Sequence, residues 1–92
     1  TPLAGLTGIG WLTLNFDVVS NLNPLVTLTN LYQLDLISNH VVSIGALVTN
    51  SLNGGLGTDD VVYLQGNPLD EYAKTNDVPA LTNRGVTVYF DP

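Results

Sequence analysis

Leu31-Tyr32-Gln33-Leu34-Asp35-Leu36-Ile37-Ser38-Asn39-His40-Val41 is the stretch on which the fold turns. Leu34 and Leu36 alternate with Gln33, Asp35 and Ile37, the period-2 pattern of a strand with one buried face. Asn39 then falls where the chain must turn. Its amide can both donate to and accept from the backbone, so it can satisfy groups that the turn would orphan. Val41, Ile44 and Leu47 follow at three-residue steps, which suits a 3₁₀ or short helical return path.

The same pattern stands 22 residues upstream. Leu6, Ile9, Leu12, Leu14, Asp17, Val19, Leu22 and Leu25 meet Leu28, Leu31, Leu34, Leu36, Asn39, Val41, Ile44 and Leu47, one for one. Apolar meets apolar throughout, and the single polar slot meets another. A fixed period of this size marks a solenoid, in which each coil buries its apolar face only against neighbouring coils. Asp17 cannot donate when ionised, so its turn is expected to be less well satisfied than that of Asn39.

Downstream, Val62, Leu64, Asn67 and Leu69 match Leu34, Leu36, Asn39 and Val41 at an offset of 28. The extra residues lie in 46–60. Ala46 to Leu52 reads as a short helix stopped by Gly54-Gly55, and an insertion that keeps the strand register belongs on the return side. Asp59 occupies a slot where this coil should be apolar. Asp77 reads as a helix N-cap before Val78-Pro79-Ala80-Leu81, and Gly85 as the C-terminal stop. Val86 to Phe90 alternates as a final strand.

The expected organisation is a single domain over 1–92. It comprises a repeat tail at 1–5, repeats at 6–27 and 28–49, an extended repeat at 50–69 and a closing unit at 70–92. Thr1-Pro2-Leu3 aligns with Asn23-Pro24-Leu25, so the chain is expected to begin inside a repeat, with a preceding coil missing. The strand at Leu12 to Leu14 then has no visible cover, and an exposed edge is a template for pairing.

These residues resemble the leucine-rich repeat family. Its pattern of Leu, two, Leu, one, Leu, two, Asn, one, Leu is met by Leu31, Leu34, Leu36, Asn39 and Val41. Ile9, Leu12, Leu14, Asp17 and Val19 nearly meet it. The spacing is similar to the short subclass of bacterial proteins, and the stretch from Val62 through Val88 is similar to the C-terminal end of many bacterial arrays. The resemblance implies a short right-handed α/β solenoid. A parallel sheet of about four strands would line the concave face, with turns, 3₁₀ segments and short helices on the convex face. It also implies recognition of a protein or ligand through the exposed strands, without catalysis.

Composition narrows the partners. Net charge is −6, and Lys74 and Arg84 are the only strong bases. That argues against nucleic acid, whose phosphates need clustered Lys and Arg, and against an anionic membrane surface. No apolar run approaches the roughly 20 residues of a spanning helix, and no signal peptide is visible. Cysteine is absent, which removes disulfides, thiolate metal sites and cysteine nucleophiles. Abundant Asn and Thr with few Lys lean toward an extracellular or cell-surface bacterial origin.

Side chains between the buried anchors should form outward columns. One is Trp11, Gln33, Val61. The next is Thr13, Asp35, Tyr63, Thr87. The third is Asn15, Ile37, Gln65, Tyr89. Trp and Tyr are enriched at binding hot spots, so Trp11, Tyr63 and Tyr89 are the natural anchors. Scattered surface aromatics can also be incidental. Trp11, on the edge strand, could instead pack on a second copy, giving a homodimer.

Little else carries chemistry. His40 is the only histidine and has no nucleophile beside it in sequence. The acid pairs Asp59-Asp60 and Asp70-Glu71 lack the alternation of a Ca²⁺ loop and read as solvated or helix-terminus charges. Asn53-Gly54-Gly55-Leu56-Gly57 lacks the Lys-Ser/Thr of a phosphate loop. The chain is thus expected to be no enzyme, with no catalytic residue, metal or cofactor. Its leading role is a protein- or peptide-binding module using Trp11, Thr13, Asn15, Gln33, Asp35, Ile37, Tyr63, Gln65 and Tyr89. The alternative is a structural C-terminal capping piece of a longer array that self-associates through its N-terminal edge strand.

Overall fold

Four short strands stack side by side in chain order, all parallel. They are β1 (Trp11–Thr13), β2 (Gln33–Asp35), β3 (Val61–Tyr63) and β4 (Thr87–Tyr89). The structure is a computed structural model and describes residues 10–14 and 20–91. Leu6, Ile9, Asp17 and Val19 of the first echo set, and with them the turn expected at Asp17, therefore lie outside the described residues.

Leu12, Leu34, Val62 and Val88 sit opposite one another on successive strands. Their neighbours point outward, as the alternation requires. Leu34 and Val62 are fully buried. A second row continues the ladder past the strand ends: the amides of Leu14, Leu36 and Leu64 donate to the carbonyls of Asp35, Tyr63 and Tyr89.

Asn39 and Asn67 each hold their coil to the one before it. Asn67 Nδ2 donates to Leu64 O at 3.0 Å in its own coil and to Leu36 O at 2.7 Å in the preceding one. Its Oδ1 accepts from the Val41 amide at 3.0 Å. Asn39 makes the equivalent donations, to Leu36 O at 3.0 Å and Leu14 O at 2.7 Å. The turn role read from the sequence is borne out at both positions.

The return paths form the opposite layer. Asn23–Thr27 is a 3₁₀ turn with Pro24 in its first turn, where the missing N–H costs nothing. Helix α1 (Gly45–Leu52) replaces it in the next coil. It buries Leu47, and the Val41 and Ile44 side chains leading into it are also buried. Its end has the Schellman pattern: Gly54 N donates to Ser51 O and Gly55 N to Asn50 O. Leu56 fills the interior of the third coil, while Asp59 is exposed in a left-handed turn, φ 69°.

The closing unit departs from expectation at its start. Asp77 is not an N-cap. It has helical φ and ψ and makes no capping bond, because the helix already runs through it. The cap is Asp70, whose Oδ1 accepts from the Ala73 amide at 2.8 Å. A π-helical segment, Ala73–Asp77, leads directly into α2 (Val78–Thr82).

Gly85 does stop α2. Its φ is +94°, its N–H donates to Thr82 O and Val86 N donates to Leu81 O. A Cβ here would come within 2.7 Å of Thr58 Cα, so glycine is required twice over. One apolar core runs from Leu12 to Val86, with Leu14, Val88 and Phe90 packed at its margins.

Candidate functional site

The outward strand residues form two full rows. Trp11, Gln33, Val61 and Thr87 share one, and Thr13, Asp35, Tyr63 and Tyr89 share the other. This corrects the expected columns at their last member. Tyr89, not Thr87, lies beside Tyr63, and Thr87 lies beside Val61. A two-residue slip leaves the in–out alternation unchanged, so patterning alone could not set the register of β4. The Gly85 turn sets it, by sending Val86 into the core one step before the strand begins.

Asp35 is the centre of the face. Trp11 Nε1–H donates to its Oδ2 at 3.4 Å, and the Thr13 hydroxyl donates to the same oxygen at 3.3 Å. Gln33 Nε2 reaches Oδ1 at 3.3 Å and Oδ2 at 3.5 Å. One carboxylate thus gathers three other side chains from two strands. On its other side the Tyr63 and Tyr89 rings stack, with centroids 5.1 Å apart and planes inclined by 10°. Parallel strands spaced about 4.8 Å apart place identical aromatics in this contact.

Exposure differs along the face. Trp11 is 58% exposed and Tyr89 46%, whereas Gln33, Asp35 and Tyr63 are half-buried. Ile37 and Gln65 lie two residues past β2 and β3 and are half-buried, and the Gln65 Oε1 is enclosed without a donor among the described residues. Asn15 lies outside the described residues.

Other singled-out residues do not converge. His40 is exposed at the turn after Asn39. The Asp60 carboxylate accepts from the Gly57 amide at 2.8 Å, closing a turn rather than facing Asp59. Among the described residues no three His, Asp or Glu side chains group together, and no pocket opens.

Sequence reading missed the polar set beneath the return layer. Asn50 is fully buried; its Nδ2 donates to Leu25 O at 2.7 Å and Leu28 O at 3.0 Å, and its Oδ1 accepts from Leu56 N at 2.9 Å. Arg84 clasps Ser51, through Nε to the hydroxyl and through an Nη2 bond of 3.0 Å to the carbonyl. The available signal was Asn50 at three residues from Leu47, on the inward side of the helix.

No protein-family model matches the sequence, and no curated protein does. The fold is similar to the crystal structure of internalin C2 from Listeria monocytogenes str. 4b F2365, a leucine-rich repeat protein. The match has a TM-score of 0.74 and 25% identity over 98% of this chain. The chain spans 35% of that protein's length. The four-stranded parallel sheet, its return layer and this likeness identify the architecture as an α/β leucine-rich-repeat solenoid.

Proposed function

We propose that the chain is a non-catalytic recognition module that holds a protein or peptide against its outward strand face. The observation that carries this is the pairing of exposure with order. Trp11 and Tyr89 project large apolar surface, yet Trp11 is tied to Asp35 and Tyr89 is stacked on Tyr63. Rings already held in place lose little conformational entropy when a partner covers them. Asn15, Ile37 and Gln65 would flank the contact on the side where the strands end.

In this reading the coils belong to the short 22-residue bacterial type. Repeats 6–27, 28–49 and 50–69 carry the face, and 70–92 closes the array. The spacing and the bacterial origin of the structural neighbour support this, and a place outside the cell or at its surface accords with it.

The test is selection of binders from a displayed library of random twelve-residue peptides on the immobilised chain. Trp11→Ala and Tyr63→Ala should each weaken the selected peptides roughly tenfold or more, as hot-spot truncations do. Thr82→Ala, at an exposed position of α2, should leave them unchanged. Peptides indifferent to Trp11 and Tyr63 would place recognition elsewhere. A dimer in light scattering that Thr13→Pro turns into a monomer would instead favour self-association through β1.

A further inference from the structure

We infer that the partner segment presents an arginine to Asp35, its guanidinium lying between the Trp11 indole and the Tyr63–Tyr89 stack. This rests on the strand face being the binding surface and adds the chemistry of what it binds. Asp35 is the one carboxylate among the outward residues of the four strands, and no base stands with it.

The donors it has are neutral, and their distances of 3.3 to 3.5 Å are long. Bonds from a cationic donor to a carboxylate run at about 2.7–2.9 Å. The local network therefore orients Asp35 without neutralising it. The chain's two strong bases cannot serve, since Lys74 lies in the π-helical segment of the return layer and Arg84 is held by Ser51.

The flanking groups suit the same ligand. Indole and phenol faces attract cations, and a flat guanidinium also stacks on them. Arginine fits better than lysine because its planar fork meets a carboxylate through two bonds and is less strongly hydrated. The net charge of −6 would draw such a segment in at long range.

The same displayed library, panned in parallel on the native chain and on Asp35→Asn, tests this. Asparagine keeps the shape and loses the charge. The native pool should be enriched in arginine several-fold over the library and over lysine, and the Asp35→Asn pool should not. For one selected peptide, Arg→citrulline and Asp35→Asn should each weaken binding roughly ten- to a hundredfold, the range of a hydrogen bond to a charged group. Together they should weaken it no more than either alone. Peptides that depend on Trp11 and Tyr63 but carry no arginine preference would overturn this inference and leave the binding face standing. Peptides indifferent to all three residues, or no retained peptide, would overturn both.

Discussion

Asp77 carries its carboxyl group into the packed side of the closing helix. Burial raises its pKa above the ordinary carboxylate value, and the nearby charge of Asp70 raises it further. The folded state therefore holds this proton more tightly than the unfolded chain. Its contribution is fully present below the unfolded value, about 3.9, and is lost as pH rises through the folded one. Asp77→Asn removes that loss. Its melting temperature should exceed the native one at pH 7, and the gap should shrink as the pH is lowered toward and through about 4, as a thermal melt at each pH would read. A gap that widens toward acid would contradict the burial argument. Ser38 and Gly66 show another residue-level compromise. Both hold positive φ at equivalent turns, 60° and 76°. A Cβ on Gly66 would lie 2.9 Å from Ser38 Oγ, so the stacked turns admit one side chain between them.

Strands of three residues cannot stand alone, and the asparagines show how the coils are joined instead. Asn67 satisfies two carbonyls and one amide across two coils. Asn67→Asp keeps the size and removes the donor when ionised. Two buried carbonyls then face a carboxylate. An unsatisfied buried polar group costs roughly 1–3 kcal/mol, so urea unfolding at pH 7 should show a loss of about 2–4 kcal/mol. The protonated acid can donate again. Its folded pKa should stand above the unfolded value of about 3.9, so the deficit should narrow at pH 3.5. An equal deficit at both pH values would mean that the donor is not what matters. Elsewhere the elements follow local chemistry that a sequence displays: Asp70 caps, Gly54 and Gly85 stop their helices, and Pro24 opens a 3₁₀ turn.

At the scale of the molecule, stability rests on leucines stacked from one coil to the next in a single core. Leu34 sits in the middle of that spine and is fully buried. Leu34→Ala should cost about 2–5 kcal/mol, through lost transfer energy and the cavity left behind. Trp11 lies on the adjacent strand and reports on β1, while circular dichroism reports on the helical layer. Both should fall at the same lowered denaturant midpoint, with the slope unchanged. Separate midpoints would mean that β1 opens independently of the coils behind it. The outward strand face proposed for binding is the other whole-molecule property. Its residues come from segments as far apart as Trp11 and Tyr89, and only stacking puts them side by side.

Alternating leucines, the asparagines after β2 and β3 and the repeat spacing determined the coils, because these coils solve the same burial problem with the same local pattern. They also determined which side chains face outward. The tertiary structure alone decided the register of β4, the stacking of Tyr63 on Tyr89 and the convergence of Trp11, Thr13 and Gln33 on Asp35. It likewise decided that Asp77 lies within a continuous helix and that Asn50 bridges two coils. A period of two cannot register an even slip, and a polar residue inside a helix shows no partner until the neighbouring coil is in place.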